Sequence, residues 1–515
     1  MTTWSMSFQR LDPSAAELLR LCAFLYPDAI PEKIITQGTS HLGAQLQALA
    51  DDRFTFDKAV NILLAYSLID RDENSNTLSI HRLVQAALQH EMEQKTFQLW
   101  VERAINAVNE VFPSYIDFTT WHSCEQLVSH AQTCIMLMEQ AGINTHGTAQ
   151  LLNKTGIYLH ERGRYTEAES YLLHALAIQK ELSGFEHQDT AWMKMNLAML
   201  YHEMGRYSAA KSLLSEALVI QEKLLEPNSP VIAMSKTQLG WVHQAQGEYG
   251  DAETLYAQAL KIHQQSLMPE HIDTATSMTN LAWIYYLQGK YTEAEPLYLQ
   301  ALTIHQQRAG IEHPLTARDQ NNLALLYMVQ GKYAEAEKLL LQAIAIRERW
   351  MGPEHTGVAI SLGNLAQLYH LQGELVKAEH LYKQAFKIQR QRLGTNHPDT
   401  ARTMAKLGSL HCSQGRLAEA EPLLLQSLAI QKQQLGIQNT RVAKNMANLA
   451  NLYMVKGMFT EAEELFQQAL QIYEQRVLAV HYDRIVALKD YAHLLRVMAR
   501  DAEARVIEER IPHEE

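Results

Sequence analysis

Six of the chain's 23 histidines, His187, His271, His313, His355, His397 and His481, are separated by multiples of 42 residues. So many imidazoles invite a metal site, but ligands sharing an ion must each reach it at roughly 2 Å. One histidine per repeating unit forms a ladder, which better suits loop residues that organise the start of the next helix. His90-Glu91 and His202-Glu203 lack the second histidine of an H-E-x-x-H motif. Glu169, Glu253, Glu295, Glu337, Glu379, Glu421 and Glu463 also occur once per unit, which predicts a solvated helix face rather than paired acid–base carboxylates. The four cysteines, Cys22, Cys124, Cys134 and Cys412, match neither a zinc pattern nor a disulfide framework, and read as buried thiols of a reducing compartment. No nucleophile–base constellation and no G-x-x-x-x-G-K-[ST] phosphate loop occurs. The expectation is a non-enzyme with no metal and no cofactor.

The remaining chemistry is recognition, and a 42-residue period positions it. Glycines stand at Gly163, Gly205, Gly247, Gly289, Gly331, Gly373, Gly415 and Gly457. Five residues after each comes Ala, fifteen after each comes Ile, and seven before each comes Gly or Ala. In the unit around Gly289 the preceding apolar residues recur every three to four positions, as in an amphipathic helix A. Gly289 then suits a left-handed helix C-cap. Helix B opens near Thr292 and turns Ala294, Tyr298, Ala301 and Ile304 inward. A single helix pair cannot bury such a stripe, so neighbours must stack into a continuous core.

The order of small residue, Gly, Tyr, Ala and Ala in these units resembles the tetratricopeptide repeat. The long period and the loops His313-Pro314 and His397-Pro398-Asp399-Thr400-Ala401 resemble the repeats of kinesin light chains and of many bacterial regulators. HEAT and armadillo arrays share a similar period but not the Gly-x-Tyr-x-x-Ala grammar. The resemblance covers residue 147 to about 511 and implies an all-α superhelical solenoid of eight to nine helix-turn-helix repeats. Eight units span 147–484, and a degenerate capping repeat with a polar tail follows at 485–515.

Residues 1–93 are out of register with the array. Helical spacing at Ala15–Tyr26 and Asp57–Ser67, a hairpin around Arg71–Asn76 and a helix from His81 predict a small winged-helix-like domain with one β-hairpin. A helical connector follows at 94–146, with helices around Trp100–Val111 and Cys124–Gln140. The stretches Leu19–Pro31 and Leu78–Gln85 resemble the winged-helix region after the NB-ARC ATPase of bacterial STAND regulators. In that family a Met-His-Asp motif supplies a histidine to the β-phosphate of ADP. Here Ile80-His81-Arg82 stands in its place, with Arg82 for the aspartate. The resemblance implies that His81 contacts nucleotide only where an ATPase domain or subunit lies upstream; otherwise it is a helix-start residue satisfied locally.

In tetratricopeptide arrays helix A lines the concave side. Nine residues before each Gly stand Lys154, Asn196, Gln238, Asn280, Asn322, Asn364, Lys406 and Asn448. Asn carries donor and acceptor groups and can hold the backbone of an extended peptide; it can equally bond a neighbouring helix to fix stacking. Other expected groove residues are Trp192, Met199, Trp241, Trp283 and Tyr286 toward the N-terminus, and Arg318, Arg402 and Lys444 toward the C-terminus. This predicts a groove apolar in its first half and basic in its second. Its partner would be a protein or peptide with an apolar anchor and an acidic stretch.

The net charge of −12, with nine basic against 17 acidic residues in 1–145, argues against nucleic acid and ranks a winged-helix transcription regulator last. No apolar run reaches the roughly 18 residues of a membrane helix, and no leader pattern opens the chain, so a cytoplasmic protein without a membrane partner is expected. The leading function is the partner sensor of a STAND-type signalling or defence regulator; the alternative is a free-standing adaptor in the manner of kinesin light chains.

Overall fold

The computed structural model describes residues 11–38, 42–116, 120–477, 479 and 481–512. Part of the expected polar tail, 513–515, lies outside them. The chain divides into two compact units, Met1–Leu200 and Tyr201–Glu515, each described by itself.

The first unit opens on the helix Pro13–Ala23, whose N-cap Asp12 accepts the Ala15 N–H at 2.8 Å. Short helices Lys33–Thr36 and Ala44–Asp51 precede Arg53–Ala65, capped by Asp52. The expected hairpin is present as β2 (Ile69–Asp72) and β3 (Thr77–Ile80), with Ile69 opposite Ile80. The sheet is larger than the single hairpin predicted, because β1 (Ile30–Pro31) adds antiparallel to the far edge of β3. Two residues carry no alternation to read, and the proline suits an edge strand. Buried Glu32 ties this end together, accepting Arg53 Nη1 at 2.7 Å and Arg71 Nε at 2.8 Å. Helices Arg82–His90, Gln94–Val111 and Trp121–Ala141 follow, then the first repeat, His146–Glu161 with Tyr165–Ser183.

The second unit is a run of antiparallel helix pairs. They are Pro230–Ala245 with Tyr249–Ser266 (repeat 3), Ile272–Gln288 with Tyr291–Arg308 (repeat 4), and Pro314–Val329 with Tyr333–Met351 (repeat 5). Thr356–Leu371 with Leu375–Leu393, Pro398–Ser413 with Leu417–Leu435, and Thr440–Val455 with Phe459–Arg476 form repeats 6 to 8. Tyr482–Val497 with Asp501–Glu508 closes the array as repeat 9. The A–B turns of repeats 3 to 8 are left-handed glycines, and Ala499 takes that conformation in repeat 9; at Gly289, φ is 89° and the Lys290 N–H reaches back to the Tyr285 carbonyl at 2.8 Å. The small residue seven before it is a packing demand. A Cβ on Gly240 would stand 2.5 Å from the Tyr256 ring. The repeated Ala five after the glycine is fully buried in every unit.

Two inter-repeat devices were not visible in the apolar pattern. After the repeated Ile at positions 220, 262, 304 and 346 stands a polar, buried residue that bonds a side chain 14 residues on, in the next helix A. Ser235 Oγ donates to Gln221 Oε1 at 2.5 Å, His263 Nδ1 lies 2.8 Å from Ser277 Oγ, and Arg347 Nη1 donates to Ser361 Oγ at 2.9 Å. At the centre His305 Nδ1 meets Asp319 Oδ2 at 2.5 Å, and Thr279 donates to the other Asp319 oxygen at 2.8 Å. The second device corrects an expectation. The glutamates after the repeated Ala are clamps on the next A–B turn rather than a merely solvated face. Glu253 accepts Gln288 Nε2 at 2.8 Å and Lys290 Nζ at 2.9 Å, and Glu379 accepts Gln414 and Arg416 in the same way.

Candidate functional site

The loop histidines act at helix starts. Nδ1 of His187, His271, His313, His355 and His397 accepts the backbone N–H two residues on, at 3.0–3.2 Å. Asn439 does the same with Oδ1 at 2.9 Å. His81 is an exposed cap of this kind, accepting the Leu83 N–H at 3.2 Å.

Within the second unit these loops also close the superhelix upon itself. His397 Nε2 donates to the Glu203 carbonyl at 2.7 Å, and Asn439 Nδ2 donates to the Ala245 carbonyl at 2.9 Å, in each case across 194 residues. Tyr249 OH meets Thr440 Oγ1 at 2.6 Å, and Tyr291 OH accepts the Tyr482 N–H at 3.1 Å. The A–B turns at Gly205, Gly247 and Gly289 lie against Pro398, Asn439 and His481.

The closure gathers predicted groove residues around one space. Trp283, Tyr286, Asn364, Arg402, Lys406, Lys444 and Asn448 line a cavity of about 170 Å³. This corrects the expected division into an apolar and a basic half. The Trp283–Tyr286 pair, stacked with ring centroids 5.2 Å apart, shares a cavity with the cations because the chain returns after one turn. Arg402 and Arg441 both approach Asp399 Oδ1, at 3.3 and 3.4 Å, and Lys444 binds Asp483 at 2.7 Å. Burial opposes ionisation of Asp399, but Arg402 and Arg441 outweigh it and hold its carboxyl below the usual range. Burial, reinforced by Arg402 and Lys444, pushes the Lys406 ammonium well below its ordinary value.

The other predicted residues lie elsewhere. In the first unit, Asn196 donates to Asn153 Oδ1 of the preceding repeat at 3.1 Å, and Lys154 binds the Asn109 and Phe112 carbonyls. Trp192 is 42% exposed and Met199 is half-buried. Asn364 makes the same backward bond, to Asn321 Oδ1 at 3.1 Å, so at these two repeats the asparagine holds the stack. Asn280 Nδ2 and Gln238 Oε1 are buried without a partner among the described residues. Asn322 Oδ1 accepts from Asn321 at 3.4 Å. Arg318 lies beside Asp319 and Thr276, and half-buried Trp241 packs on the core of repeats 3 and 4. One set of ligating atoms, on His243, Glu248 and Asp251, falls within 4.8 Å, but Lys211 already neutralises Glu248 at 2.9 Å. No helix among the described residues is long and apolar enough to cross a membrane.

A domain-of-unknown-function model, DUF7779, matches residues 6–97. Tetratricopeptide repeat models match 148–189, and then 189–265, 237–307, 285–328, 315–391, 371–433 and 441–511. A nucleotide-binding leucine-rich repeat (NLR)-like protein of Hyaloscypha variabilis is 33% identical over 195 residues, 37% of this chain and 18% of that protein. The chain therefore spans under a fifth of that relative's length. Among solved structures, a Rap protein complexed with competence and sporulation factor is 16% identical, with a TM-score of 0.54 over 70% of this chain and 96% of that one. A STAND protein with a tetratricopeptide repeat sensor, from Pyrococcus horikoshii, is 15% identical, with a TM-score of 0.49 over 98% of this chain and 67% of that one. The repeat models match more than half of the chain, which belongs to the tetratricopeptide repeat family.

Proposed function

We propose that this chain is the partner-sensing portion of a STAND-type signalling or defence regulator, and that its ligand is a protein or peptide taken on the inner face of the repeats. One observation carries the reading. Trp283, Tyr286, Asn364, Arg402, Lys406, Lys444 and Asn448 come from four repeats yet face one space, where solenoid packing asks only for small and apolar side chains. The likeness to the NLR-like protein supports the regulator context. The closed turn gives a sensor its second state: a ligand that favours separated loops shifts the population toward an open superhelix. In an intact regulator His81 would lie toward nucleotide held by an ATPase domain. A free-standing adaptor is the second reading, and an ATPase reading frame joined to the 5′ side of the gene would decide against it.

The test is affinity capture from host lysate on the natural chain and on Trp283→Ala/Tyr286→Ala, with circular dichroism to establish that both are folded. A protein retained by the first and lost by the second supports the inner face. Equal retention moves the site to the outer face or to the first unit.

A further inference from the structure

Four cations, Arg402, Lys406, Arg441 and Lys444, border the inner space of the second unit, and the carboxylates beside them are Asp399 and Asp483. Asp399 is shared by two arginines and Asp483 is held by Lys444. Lys406 makes no ion pair among the described residues. A part-buried cation left among like charges is costly unless an anion joins it.

We propose that this space is a binding site for a compact phosphate monoester, with Lys406 as its anchoring cation and Arg402 and Lys444 beside it. With Lys406 protonated the four cations exceed the two carboxylates by two, which matches a phosphate dianion, and the Asn448 amide adds a donor at the same wall. The stacked Trp283–Tyr286 pair offers a flat apolar surface for the organic part of the ester. About 170 Å³ bordered by loops bonded to one another accommodates a compact group. The proposal rests on the sensing reading only in placing a ligand on the inner face.

The experiment is isothermal titration of the full chain with inorganic phosphate, against chloride at matched ionic strength, for the natural protein, Lys406→Met and Lys406→Arg. Phosphate is expected to bind the natural chain, to bind Lys406→Met about ten- to a hundredfold more weakly, and to bind Lys406→Arg with its affinity largely kept. Without phosphate, Lys406→Met should melt higher than the natural chain, because an uncompensated charge has been removed; a merely structural lysine would lower the melting temperature. No binding above the chloride control, or equal binding by Lys406→Met, overturns the proposal. So does a phosphoserine peptide that binds more than tenfold tighter than inorganic phosphate, which would favour a phosphorylated chain. Protein capture that persists while phosphate fails to bind refutes this site alone and leaves the sensing reading standing.

Discussion

Gly289→Ala and Gly331→Ala are chemically the same change at equivalent turns, and the closed superhelix predicts different outcomes. Both glycines are left-handed, with φ of 89° and 75°, so each alanine costs about 1–2 kcal/mol of backbone strain. A Cβ on Gly331 meets nothing within 4 Å. On Gly289 it stands 3.0 Å from the His481 Cα and 3.1 Å from its nitrogen. Backbone cannot yield as a flexible side chain does, so the His481 loop must retreat, at a further cost of about 1–3 kcal/mol. That retreat breaks the bond from the Tyr482 N–H to Tyr291 OH. Hydrogen exchange with mass spectrometry should therefore show the amides around Tyr482 exchanging roughly five- to 150-fold faster in Gly289→Ala. In Gly331→Ala the same amides should keep their natural rate. Equal acceleration in both variants, or in neither, refutes the reasoning.

Burial pushes the His130 imidazole from 6.5 down to about 4. Between those values the unfolded chain binds a proton that the folded one refuses, so the contribution is present above about pH 6.5 and is lost as pH falls toward 4. The first unit should lose about 2 kcal/mol between pH 7 and 5 from this group, and urea titrations of His130→Gln should show a shallower pH dependence; an identical slope would contradict it. Asp319→Ala strips Nδ1 of the fully buried His305 of its partner and leaves the Thr279 hydroxyl only the Ala275 carbonyl, and should cost about 3–5 kcal/mol, read as faster exchange across Pro314–Val329; unchanged exchange there would count against the buried pair. Glu32→Ala leaves mostly buried Arg71 with Asp57 as its remaining carboxylate and should destabilise the first unit by about 3 kcal/mol, against which a loss below about 1 kcal/mol in urea would argue.

The repeats are legible because each unit solves the same packing problem with the same residue types. A left-handed turn needs Gly289, and close helix contact needs Ala294, so the period shows at once. The residues joining one repeat to the next are polar, so an apolar period passes over them: Gln221, His263, His305 and Arg347 directly follow the repeated Ile, and that position is itself a signal. The closure could not be read in the same way. It arises from small rotations summed over more than four repeats, and no local pattern encodes their total. Once the turn is closed, Trp283 and Lys444 line one cavity instead of opposite halves of a groove. In the first unit, Lys33–Thr36 and Ala44–Asp51 are too short to show a clear helical stripe, and the two-residue strand Ile30–Pro31 shows no alternation.

The central claim is that the second unit closes on itself, and a covalent trap tests it most directly. A Cβ built on Gly289 lies 3.4 Å from the His481 Cβ, at the short edge of disulfide geometry. The native thiols of Cys22, Cys124 and Cys134 are buried and Cys412 is partly so. Gly289→Cys/His481→Cys should form an intramolecular disulfide under mild oxidation, seen as a reductant-reversible shift on a denaturing gel that neither single variant gives. Two thiols that stay titratable under the same oxidant, with no shift, would contradict the closed turn and the site built on it.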